Sequence, residues 1–110
     1  MITVKIKPLS VNQCWQGKRY KTQVYKKYEQ DLTILLPAAI KFPARIRLEI
    51  EVGFSSKQAD VDNICKPFLD IMQKKYGFND RDVYELSLVK KIVPKGGEYI
   101  SFIVSGTGDR

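Results

Sequence analysis

Between Arg45 and Phe54 the chain alternates without a break. Ile46, Leu48, Ile50, Val52 and Phe54 fall on one side, with Arg45, Arg47, Glu49, Glu51 and Gly53 on the other. Successive side chains of a strand point to opposite faces, so a period of two sustained this long specifies a strand with one face against a core. At 110 residues there is room for one domain around it. A hydrophobic fraction of 44% is enough to fill that domain's core.

The flanking segments supply the rest. Ile2, Val4 and Ile6 alternate with Thr3, Lys5 and Lys7, a second half-buried strand, ended by Pro8 and Ser10. Val11 to Thr22 shows no period and reads as a loop. From about Gln23 the period lengthens: Tyr28, Leu32, Leu35, Leu36 and Ala39 share one face of a helix that Pro37 and Pro43 bring to a stop. A second helix starts near Asp62 or Asn63, placing Pro67 in its first turn, and carries Ile64, Phe68, Ile71, Met72 and Lys75 on one side. Gly77 suits its C-terminal stop. Phe78 to Asp82 forms a turn. Strands over Val83–Val93 and Glu98–Val104 are joined by Pro94-Lys95-Gly96-Gly97, a hairpin signal, and residues 105–110 read as a frayed tail. The expected fold is a single α+β domain over 1–110, with a mixed or antiparallel sheet and two main helices in the order β-α-β-α-β-β.

Composition restricts the chemistry. The chain has no histidine, which removes histidine-assisted nucleophiles and histidine-ligated metal centres. Cys14 and Cys65 cannot form a four-cysteine zinc site. The N-terminus lacks a signal-peptide pattern and no apolar run can span a bilayer, so the expectation is a cytoplasmic protein with free thiols and no membrane association. Lys and Arg number 19 against 12 Asp and Glu, a net charge of +7 that suits a polyanion. Much of it lies early: residues 1–30 hold Lys5, Lys7, Lys18, Arg19, Lys21, Lys26 and Lys27 against Glu29 alone.

Asp60 and Asp62 follow the strongest strand and open the second helix, and Asp80 and Asp82 lie in the turn beyond it. If the pleat continues to Asp62, both carboxylates face one side. Oxygen ligands without His or Cys suit a hard cation, Mg2+ or Mn2+. Such a site activates water and stabilises charge on a phosphate, the chemistry of phosphodiester hydrolysis. Lys66, four residues after Asp62, shares its helix face and is placed to meet that charge, while Lys18, Arg19, Lys21, Lys26 and Lys27 would hold the phosphate backbone. Plainer readings stand beside these. Asp62 or Asn63 serves as a helix cap, Asp80 and Asp82 are solvated turn residues, and Lys66 pairs with Asp70. Trp15, Tyr20 and Tyr25 either pack in the core or stack on bases.

The run Asp60-Val61-Asp62-Asn63-Ile64-Cys65-Lys66, then Phe68-Leu69-Asp70, then Gly77-Phe78-Asn79-Asp80 and Val83 resembles the RusA family of Holliday junction resolvases. Pro8-Leu9-Ser10-Val11-Asn12, Val89-Lys90 and the Pro94–Gly97 turn extend the resemblance over nearly the whole chain. It implies a RusA-like homodimer that uses Mg2+, needs no organic cofactor, and cuts four-way DNA junctions symmetrically in recombination and repair. The family's essential acids fall on Asp60, Asp62 and Asp80, which would be both catalytic and metal-binding, and its catalytic lysine falls on Lys66. Asn79-Asp80 stands where the family often has two acids. Asp82 and Asn63 are then supporting residues behind the ligands. A chromosome or a phage or prophage are equally suitable sources of such a gene. The alternatives are a non-catalytic basic module for branched or single-stranded nucleic acid, and an RNA or flap nuclease using the same carboxylates.

Overall fold

The computed structural model describes residues 1–17 and 20–107. Along the chain run β1 (Ile2–Val4), β2 (Trp15–Gln16), β3 (Tyr20–Lys21), α1 (Gln23–Leu35), β4 (Ile46–Phe54), α2 (Asp62–Tyr76), β5 (Val83–Ile92) and β6 (Tyr99–Gly106). Single 3-10 turns occupy Val11–Gln13 and Asp80–Asp82. β4 is the strand that the alternation demands, with Ile46, Leu48, Ile50, Val52 and Phe54 all buried. Four strands form one mixed sheet in the order β1-β6-β4-β5. β4 lies parallel to β5 and antiparallel to β6. Parallel neighbours require a crossover, and α2 supplies it. The α+β class, the mixed sheet and the two main helices are as expected.

Three local expectations give way. Pro94 to Gly97 does make a turn, with the Gly97 amide donating to the Pro94 carbonyl at 2.9 Å. The strands on either side of it are nevertheless not partners. β6 crosses to the far side of β4, and β5 is left at the sheet edge. The reason is polarity: Ile100, Ser101 and Phe102 are all buried, as a central strand requires, whereas Glu85, Lys90 and Lys91 suit an edge. The Val11–Thr22 stretch is not a plain loop but a 3-10 turn followed by the small β2–β3 pair. Finally, β6 runs through Ser105 and Gly106, which pair with Arg47 and Ile46 and so belong to the sheet.

Both helices pack into a single core with the inward residues of the sheet. α1 buries Tyr25, Tyr28 and Leu32, with Leu36 just beyond its end, while Leu35 is 46% exposed. The expected face continued to Ala39, but the helix stops at Leu35 because Leu36 precedes Pro37 and is driven to extended geometry, ψ 146°. Its last carbonyls are met by α2: Lys75 Nζ donates to the Leu36 carbonyl at 2.9 Å and also to that of Thr33. The Tyr76 hydroxyl donates to the Pro37 carbonyl at 2.6 Å. α2 buries Ile64, Pro67, Phe68, Ile71 and Met72, with the Phe68 ring edge-on to Phe102 at 5.5 Å. Pro67 is in the second turn of α2 rather than the first, so it offers no amide to the Asn63 carbonyl. Gly77, at φ 79°, ends the helix in the left-handed conformation that glycine adopts without a Cβ penalty.

Candidate active site

β4 ends at Phe54, so its pleat does not reach the aspartates. A loop over residues 55–61 intervenes. Asp60 stands at the end of that loop and Asp62 is the first residue of α2, both exposed. Neither is used as a cap. The cap position is Val61, with no side-chain hydrogen bond to the first helical amides. Neither carboxylate enters an ion pair among the described residues. The positive end of the helix favours a carboxylate at Asp62 without any partner side chain. Asn63, half-buried, adjoins it in the first turn.

The loop before Asp60 is anchored from the sheet. Lys90, on β5, donates from Nζ to the carbonyls of Lys57 at 2.7 Å and Ala59 at 2.6 Å. In the sequence Val89-Lys90 is noticed only as part of the family resemblance, and nothing local to Lys90 signals this role. On the other side, Lys7, Pro8, Ser10 and Gln13 line a small cleft with Ser55, Ser56, Ala59 and Ile64. The N-terminal Pro8–Asn12 motif and the Asp60 loop are thus neighbours.

Lys66 sits one turn into α2, on the Asp62 side, but its ammonium turns toward the C-terminus and pairs with Asp70 at 3.0 Å. The hydrogen bond and charge of Asp70 hold its pKa above the usual lysine value. Slight desolvation opposes this and the charge of Asp80 adds to it. Asp80 is exposed and Asp82 half-buried in the 3-10 turn. The Asn79 side chain accepts from the Arg81 amide at 3.0 Å, and the Asp80 amide donates to Gln73 Oε1 at 2.9 Å. Gln73 lies eleven residues beyond Asp62, roughly 16 Å along the helix axis at 1.5 Å per residue. Among the described residues no three Asp, Glu or Cys side chains are grouped to hold a metal ion. The donor chemistry suits a hard cation, and Asp60 and Asp62 fit it. The third acid stands apart within one chain.

Of the expected phosphate contacts, Lys18 and Arg19 lie outside the described residues. Lys21 pairs with Glu29 at 2.9 Å and Lys27 with Asp31 at 2.9 Å, so acids on α1 neutralise part of the basic stretch. Lys26 is exposed and enters no ion pair among the described residues. Tyr25 is core, while Trp15 (41% exposed) and Tyr20 (72% exposed) stay at the surface on the small hairpin.

No curated protein matches the chain. A family model described as Endodeoxyribonuclease RusA matches residues 6–101, spanning Pro8–Asn12, both aspartates of the α2 mouth, Lys66, Asp80 and Lys90. With that match over most of its length, the chain belongs to the RusA family of endodeoxyribonucleases, hydrolases that cut phosphodiester bonds at Holliday junctions.

Proposed function

We propose that this chain resolves four-way DNA junctions as a homodimer, by paired, Mg2+-dependent hydrolysis, with Mn2+ as a substitute. Asp60 and Asp62 hold the cation, Asp80 supplies the third acid, Lys66 engages the scissile phosphate, and Asp82 and Asn63 stand behind them. The observation that carries this reading is the state of the α2 mouth. In a chain of net charge +7, two exposed carboxylates two residues apart are used, among the described residues, neither for capping nor for ion pairing. A bound cation would lower the pKa of its water and offset charge on the phosphate. Lys66 is exposed, and its pair with Asp70 is worth only about 0.3–0.5 kcal/mol, so its ammonium transfers to a phosphate at little cost. Lys18, Arg19, Lys21, Lys26 and Lys27 meet the junction arms. A DNA substrate places the protein inside the cell.

The dimer is supported by the sheet. β6 has partners on both sides and β1 is three residues long, whereas β5 offers ten residues of edge with Leu86, Val89 and Ile92 exposed. Antiparallel pairing of β5 with a second copy, centred on Leu88, is self-complementary: it sets Glu85 opposite the partner's Lys91, and Leu88 opposite its own copy. The same pairing brings the Asp80 end of one copy to the end of the sheet where Asp60 and Asp62 of the other emerge. This accounts for acids that one chain keeps apart.

The test is cleavage of a synthetic mobile four-way junction, beside duplex and flap controls, with and without Mg2+. Symmetric, metal-dependent nicks near the crossover are expected. Asp62→Asn should lower the rate by about two orders of magnitude or more while metal-free junction binding survives. Tight junction binding without cutting in Mg2+ or Mn2+ would leave a binding module. Cutting confined to flaps or RNA would keep the acids and discard the junction.

A further inference from the structure

We propose that Lys90 is a positioning residue for the acidic site: it reaches from β5 to set the backbone of the loop that presents Asp60. The inference rests on Asp60 and Asp62 forming that site, and goes beyond it by naming what holds them in place.

The geometry is specific. Lys90 lies on the helix-covered face of the sheet, in register with buried Val52 of β4. A lysine there would normally extend to bulk water. Its stem instead passes the Phe54 ring, with Nζ 5.8 Å from the centroid, and its ammonium ends on the carbonyls of Lys57 and Ala59, at 2.7 and 2.6 Å. Both bonds are charge-assisted, the stronger class, and the second is to the residue directly before Asp60. At its start the loop is tied by Ser55 Oγ, which donates to Glu98 Oε2 at 2.7 Å; nearer Asp60 there is less to fix it. Within residues 55–61 the Ala59 amide reaches the Ser56 carbonyl only at 3.5 Å, and the Gln58 amide meets Ser56 Oγ at 3.2 Å. At the end of the loop next to Asp60, the outside anchor is therefore one side chain from a rigid strand. Groups that orient a metal-binding carboxylate from behind change metal affinity or activity by about 10–100-fold when removed.

Lys90→Met keeps the stem over Phe54 and removes the donors, and Lys90→Arg keeps donors at that position. Hydrogen exchange of the amides of residues 57–62 is followed in the metal-free protein, together with the Mg2+ concentration for half-maximal junction cleavage. Metal-free junction binding and the thermal midpoint serve as controls. Lys90→Met is expected to exchange faster in this segment alone. It should need about 10–100-fold more Mg2+, with junction affinity unchanged within about twofold, and Lys90→Arg should restore both quantities. Unchanged exchange in Lys90→Met overturns the proposal, whatever the activity. So does an unchanged Mg2+ requirement in a protein whose native form cuts junctions, or a defect that follows a lowered thermal midpoint and is not rescued by arginine. Native protein that cuts no junction under any metal condition overturns the nuclease reading instead, and the exchange result then still decides whether Lys90 sets the loop.

Discussion

Among the described residues Asp60 and Asp62 stand out because their carboxylates have no hydrogen-bond or ion-pair partner, whereas several other acids have one. Glu29 holds Lys21, Asp31 holds Lys27, Asp70 holds Lys66, and Glu51 accepts the Tyr99 hydroxyl at 2.7 Å. The cysteines show the opposite extreme. Cys14 is fully buried, its thiol directed at the Ser10 carbonyl, and burial raises its pKa to about 11, with the charges of Asp70 and Glu29 adding to the effect. At pH 8 its thiolate is then about one part in a thousand, and access is closed as well. Titration of the native protein with a chromogenic disulfide at pH 8 should find Cys65 alone, reacting slowly. Cys14 should appear only after denaturant is added. Two fast-reacting thiols in the folded protein would contradict this packing.

At the scale of elements, the crossover β4–α2–β5 matters most, since its two connections and the first residue of α2 carry all the proposed acids. The 55–61 loop is held by Lys90 and the 77–82 turn by Gln73, both by hydrogen bonds from outside the loop they fix. β4 depends in turn on a close approach at its outer face. Gly53 is buried there under Tyr99, and a Cβ would overlap the Tyr99 ring, which is itself tethered to Glu51. Gly53→Ala should therefore destabilise the fold by about 1–3 kcal/mol, read as a lowered urea midpoint with unchanged slope. Substituting Tyr99 by Ser in the same chain should recover part of the loss. Equal stability of Gly53→Ala and the native chain would mean that the ring moves aside freely.

For the whole molecule, the titrating groups that are shifted by folding share one direction on the alkaline side. Cys14 is raised to about 11 and Tyr25 to about 12, chiefly by burial; Tyr28, Tyr76 and Cys65 are also raised by burial, and Lys66 by Asp70. The folded state holds these protons more tightly than the unfolded chain, so stability is full below about pH 9 and is lost as pH rises through the folded-state values. Cys14 alone contributes on the order of 2 kcal/mol to that loss. Thermal midpoints should be nearly level from pH 6 to 8.5 and fall steeply above pH 9.5; a flat profile to pH 11 would refute the burial of these groups. The proposed dimer is also a property of the whole molecule. Glu85→Lys should set like charges face to face and yield monomers by sedimentation velocity, and Glu85→Lys combined with Lys91→Glu should restore dimers. If the single substitution leaves the dimer intact, β5 is not the interface.

The sequence by itself determined β4, most of α2 and its Gly77 stop, because these follow from local periodicity and backbone chemistry. It also offered Asp60, Asp62, Lys66 and Asp80 as the candidate site, because an ordered motif is readable wherever its residues later lie in space. Tertiary structure decided the rest. The Pro94–Gly97 turn looks the same whether its strands pair or straddle a third, and only competition for a central place moved apolar β6 beside β4 and left charged β5 at the edge. The small β2–β3 pair is too short to carry a period. The separation of Asp80 from Asp62 reflects a rigid helix between them, which adjacency in the motif conceals. Lys90 meets the loop before Asp60 across more than thirty residues of chain, a contact that no local pattern encodes and that exists only once β5 is laid parallel to β4.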